Sequence, residues 1–104
     1  MLELPRGVMI QHISAVTLAV ERMQPSVAFY EKLGFQVIYG GSHSAFTTLQ
    51  SGEAFVNLVA TPPGHQRHWW GRVIFRIDDA DVHYNRLVAA GLEPEAPRDA
   101  SWGE

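Results

Sequence analysis

Cysteine is absent from the 104 residues, which excludes a disulfide framework, a thiol nucleophile and a zinc–thiolate centre. Long apolar runs are missing too: none approaches the roughly 18 residues that a bilayer-spanning helix needs. The opening Met1-Leu-Glu-Leu-Pro-Arg-Gly7 has no apolar core of the kind a secretion signal requires, so the cytoplasm is the expected location. Strong charge of one sign is lacking as well. Eight Lys and Arg against eleven Asp and Glu leave a net charge of −3, which points to neither nucleic acid nor a membrane surface as partner. No serine has a matched His–Asp pair, so nucleophilic catalysis has no support in the pattern.

What is present is an ordinary globular composition, 46% hydrophobic and 18% charged, sized for one domain. From His12 to Val20 the residues alternate as in a strand, with Val16, Leu18 and Val20 on one face and Ala15, Thr17 and Ala19 on the other. Pro25 suits the first turn of a helix, Phe29, Tyr30 and Leu33 follow at helical spacing, and Gly34 is placed to end it. The adjacent aromatics Phe29 and Tyr30, on a helix covering a sheet where such pairs usually split between core and interface, are read as structural, with the core favoured. Strands are expected over Phe35–Tyr39, Ala45–Leu49 and Ala54–Ala60, separated by Gly40-Gly41 and Ser51-Gly52 turns. The order is β-α-β-β-β.

Thr61-Pro-Pro-Gly64 breaks the pattern and opens a linker over about 61–69. Trp70–Ile77 then reads as a strand, with Val73, Phe75 and Ile77 on one face and Arg72, Ile74 and Arg76 on the other. Asp78 or Asp79 would cap a helix from about Ala80 to Ala90, stopped by Gly91. Strand, cap, helix and terminal glycine thus occur twice. The second copy ends before its last two strands are written, so the second module reads as truncated: either the chain is incompletely represented, or dimer formation or strand exchange closes the sheet.

Two segments carry a family resemblance: Ala28-Phe-Tyr-Glu-Lys-Leu-Gly-Phe35 and Gly71-Arg-Val-Ile-Phe-Arg-Ile-Asp-Asp79. In their order and spacing they resemble the vicinal oxygen chelate superfamily, which includes glyoxalases, bleomycin-resistance proteins and extradiol dioxygenases. The resemblance implies an α+β fold of paired βαβββ modules, their mixed sheets forming a cup with helices on the convex side. It places module one at about 12–60 and an incomplete module two at about 70–104, within a single domain spanning 1–104. It also implies a homodimer.

In metal-dependent relatives, His, Glu or Gln ligands line the cup. By resemblance three of those positions fall on Ala15, Asn57 and Arg72, and a fourth lies in the strand not written here. Alanine has no donor, and Arg72 carries a permanent positive charge that repels a cation. No metal or other cofactor is therefore expected. His12 lies three residues from Ala15, so alternation turns it to the opposite face. His43 reads as a hairpin residue and His83 as a solvent-facing helix residue.

The candidate ligand-binding residues are Arg72, Asn57, Arg76, Phe55, Trp69 and Trp70. The two arginines either grip a carboxylate or phosphate on a small ligand or form internal ion pairs. Asn57, flanked by Phe55 and Val59, either orients a ligand or bonds a neighbouring group. Trp69 and Trp70 either stack on a planar ligand or seal an edge or interface. The expected function is metal-independent binding of a small anionic or aromatic molecule in the cup, to sequester or sense it. The alternative is a superfamily lyase, isomerase or dioxygenase with atypical or no metal ligands.

Overall fold

The first sheet is assembled around one amphipathic helix, and each break in the chain has a local cause. The structure, a computed structural model, describes Gly7, residues 10–64 and residues 72–99. The chain divides into two compact units, Met1–Pro63 and Gly64–Glu104. Together the described residues form an α+β arrangement of four strands and two helices. The first unit runs β1 (Val16–Val20), α1 (Met23–Leu33), β2 (Gln36–Tyr39), β3 (Phe46–Ser51) and β4 (Ala54–Ala60). The second holds α2 (Ala80–Ala89).

The sheet is mixed and open, in the order β1-β4-β3-β2. β1 lies parallel to β4 with Leu18 opposite Leu58, while β3 is antiparallel to both β4 and β2. Strict alternation sends Val16, Leu18, Val20, Thr47, Leu49, Val56 and Leu58 to one face. Helix α1 meets that face with Met23 and Val27, and Phe35 joins them just past its end. Leu49 and Leu58 are fully buried there, and Leu18, Val20, Tyr30, Leu33, Val37 and Ala54 surround the cluster. Burial pushes the Tyr30 hydroxyl above its ordinary pKa of 10.0.

Both helices end by the same device. In α1, Gly34 takes a φ of 112° and its N–H donates to the Glu31 carbonyl, while Phe35 N–H donates to Tyr30 O at 3.1 Å. The accompanying contact between Tyr30 and Phe35, edge to face at 5.8 Å, is the hydrophobic clasp of a Schellman motif. In α2, Gly91 N–H donates to Val88 O and Leu92 N–H to Leu87 O, each at 3.0 Å. The helix starts differ. Asp79 caps α2, its Oδ1 accepting from the N–H groups of Asp81 at 3.0 Å and Val82 at 3.1 Å. Arg22 stands at the start of α1 with no side-chain cap.

Three expectations need correction. The strand beginning at His12 begins at Val16, because parallel pairing with β4 starts only where Val56 stands opposite. Phe29 is not core: it is 44% exposed, and Tyr30 alone of the pair packs on the cluster. Adjacent helix positions point about 100° apart, and here Tyr30 takes the sheet side. Of the strand expected over Trp70–Ile77, residues 70 and 71 lie outside the described residues, and 72–77 pairs with no strand among the described residues. β1 owes its ladder to β4, and among the described residues of the second unit nothing repeats β4. Alternating side chains record a face; only a partner strand makes a ladder.

Candidate functional site on the open sheet face

The face of the first sheet turned away from α1 carries Thr17 and Ala19 from β1, Phe55, Asn57 and Val59 from β4, and Phe46, Thr48 and Gln50 from β3. Side chains directly opposite on paired strands share a face, and here they share hydrogen bonds. Asn57 stands opposite Thr17 on one side and Thr48 on the other. Thr48 Oγ1 donates to Asn57 Oδ1 at 2.7 Å, and Asn57 Nδ2 donates to Thr17 Oγ1 at 3.2 Å. The amide is thereby held between two hydroxyls with its carbonyl toward β3 and its N–H groups toward β1. One amide N–H remains beyond the bond to Thr17.

The fourth strand joins this row through an irregularity. Gln36 pairs with Gln50 and Val37 with Leu49, after which the register slips and Tyr39, rather than Ile38, faces Thr48. A bulge at Ile38 thus inserts one residue and turns Tyr39 onto the open face. Its ring lies edge to face with Phe46, centroids 6.4 Å apart. Tyr39 is 66% exposed and Phe46 39%, so this aromatic corner is accessible.

The hairpin just beyond is braced from the opposite side. Buried Thr47 accepts from Gly41 N–H at 3.1 Å and donates to Gly41 O at 3.0 Å. Gly40 takes a φ of 76°, and a Cβ there would collide with the Phe46 carbonyl.

Of the sequence-predicted residues, Asn57 and Phe55 lie together on this face, both half-buried. Asn57 bonds two neighbouring side chains, Thr17 and Thr48, and not backbone. Arg72 and Arg76 are exposed in the second unit, where Arg72 already has an interaction partner. Trp69 and Trp70 lie outside the described residues. Alternation in the sequence put Thr17 opposite in face to Val16 and Leu18 but did not single out Thr48 or Phe46, which alternation along β3 places with it. Nothing in the local pattern announces Tyr39, because plain alternation sends it to the side of Val37.

Two of the positions that the resemblance assigns to metal ligands, Ala15 and Asn57, lie in the first unit. Ala15 is exposed and offers no donor, and the Asn57 carbonyl oxygen accepts from Thr48. No group of three or more His, Cys, Asp or Glu side chains converges among the described residues. His12 is exposed with Nδ1 against the carbonyl of its own neighbour, Ile13, at 3.1 Å. His83, expected in solvent, is half-buried on α2. No helix among the described residues is long and apolar enough to cross a membrane.

The family model described as the glyoxalase/bleomycin resistance protein/dioxygenase superfamily matches residues 10–104. The chain belongs to this superfamily. Solved structures with the same fold include a bleomycin resistance determinant encoded on the transposon Tn5. It is 23% identical with a TM-score of 0.71, over 89% of this chain and 82% of that one. A bleomycin-binding protein in complex with bleomycin aligns with a TM-score of 0.70 at 23% identity, over 89% of this chain and 83% of that one. The fosfomycin resistance protein FosX from Listeria monocytogenes, complexed with Mn(II) and sulfate, reaches 0.61 at 24% identity, over 86% of this chain and 74% of that one. No curated protein matches the chain. At these identities the similarity speaks to the fold alone.

Proposed function

We propose that this superfamily member binds a small aromatic or anionic molecule without a metal, sequestering or sensing it on the open face of its sheet. The observation that carries the reading is the Thr17–Asn57–Thr48 row set beside the Tyr39–Phe46 corner. A few oriented polar groups amid aromatic and aliphatic surface is the composition of a small-molecule site. The bleomycin-binding relative, whose structure contains bleomycin, is consistent with a fold that presents such a surface. The anionic half of the reading is separate from that face and belongs to the second unit taken by itself, where Arg72 and Arg76 are exposed. Arginine's planar fork suits carboxylates and phosphates. A homodimer, by analogy with the family, and a cytoplasmic setting complete the proposal.

Thermal-shift titration of the intact chain against aromatic carboxylates, phosphates and neutral aromatic amides tests this. Ligands that raise the melting temperature should bind roughly tenfold more weakly to Asn57→Leu, the loss of about one hydrogen bond to a held group. Those whose effect depends on their negative charge should lose it in Arg72→Ala; an undiminished response removes Arg72 from anion binding. A stoichiometric divalent ion in the purified protein, whose removal lowers the melting temperature, would overturn metal independence.

A further inference from the structure

The bulge at Ile38 does more than bend β2. With regular pairing, the residue facing Thr48 would be Ile38, and the row across the sheet would end in an aliphatic side chain. The slipped register replaces it by Tyr39, so Thr17, Asn57, Thr48 and Tyr39 stand side by side across all four strands. Neighbouring strands lie about 4.8 Å apart, which makes this polar row about 14 Å long from its first strand to its last. Tyr39 also contributes its ring to the corner with Phe46, so one residue belongs to both the polar row and the aromatic surface.

We infer that Tyr39, placed by the bulge, is the specificity-determining residue of the site proposed above, and that its ligand is a planar aromatic ring bearing a carbonyl-type hydrogen-bond acceptor. This rests on the binding reading and narrows it. The ring packs against Phe46 and the edge of Tyr39, since aromatic pairs favour offset and edge-to-face contact. The acceptor meets the remaining N–H of Asn57. Phe46 stands opposite Val59, two residues along β4 from Asn57, and is therefore its diagonal neighbour. That diagonal spans about 7–8 Å, the reach of one ring with a carbonyl substituent. A saturated ring of the same size would fill the space without the edge-to-face contact.

The test uses the intact chain, with benzamide and cyclohexanecarboxamide as probes, followed by two-dimensional NMR titration. Benzamide should shift resonances of Asn57, Phe46 and Tyr39 and bind roughly tenfold more tightly than its saturated counterpart. The swap Ile38→Tyr/Tyr39→Ile keeps composition but returns an aliphatic residue to the row; it should abolish that preference, whereas Tyr39→Phe should keep the ring preference. Should the swap fail to give a folded spectrum, Tyr39→Ala is read in its place, with the same loss expected. A folded swap variant, or Tyr39→Ala, that binds benzamide as the unaltered chain does overturns the role of Tyr39 while leaving the binding reading intact. If benzamide shifts nothing on the open face of the unaltered chain, the binding reading itself fails for aromatic ligands. Tyr39 resonances that move with protein concentration and not with probe would show a second copy covering the row, which also overturns the inference.

Discussion

At the scale of single residues, two positions show how backbone geometry sets what the site can be. Gly40 sits where φ is 76° and a side chain would strike the Phe46 carbonyl, while Thr47 ties the adjoining Gly41 by two hydrogen bonds. The turn that delivers Phe46 to the open face therefore depends on a residue without a Cβ. Gly40→Ala should destabilise the fold by about 1–3 kcal/mol, from the positive φ together with the backbone collision. Urea unfolding would show a lower midpoint; an unchanged midpoint would mean the hairpin relaxes freely. The same change at Gly41, where a Cβ meets nothing nearby, isolates the conformational cost alone, since its φ of 143° is also left-handed. Asn57 illustrates the other kind of information. Its chemical type and face were legible from Phe55 and Val59 on either side, but its two threonine partners were not, since they come from strands forty and nine residues away.

At the scale of elements, the helices were well marked because their stop signals are local. Gly34 and Gly91 ended them where a left-handed residue was needed, and the Tyr30–Phe35 clasp is written within six residues. Their starts are unequal. Asp79 satisfies two N–H groups of α2, so Asp79→Ala should cost about 1 kcal/mol of stability. Arg22 offers α1 no side-chain acceptor and brings positive charge to the positive end of the helix dipole. Arg22→Asp should therefore stabilise by about 0.5–1.5 kcal/mol. Paired denaturant curves check both signs, and a destabilised Arg22→Asp would mean that the arginine makes a contact worth more than a cap. Strands were less legible. β4 was read to the residue because both its edges are paired, whereas β1 was read too long and 72–77 was read as a strand although no strand among the described residues pairs with it.

At the scale of the molecule, the core cluster belongs wholly to the first unit, and α2 contributes no fully buried residue. Local opening is easier where few apolar groups are removed from water. Hydrogen exchange should accordingly be slowest in β3 and β4, around Leu49 and Leu58, and faster by at least tenfold along α2. Equal protection in α2 would mean that it is buried by contacts outside the described residues. Superfamily membership is a statement at this same scale, resting on a match over residues 10–104 and not on any one side chain.

The sequence alone determined the order of elements in the first unit, the two helix stops, the faces of β1 and β4 and the family, because alternation, helical spacing and turn residues are all encoded within a few positions. Only the tertiary structure decided which polar groups meet and which aromatic completes their row. Strand register is a long-range property, and a one-residue slip at Ile38 moves Tyr39 from one face of the sheet to the other without altering a letter of the pattern that preceded it.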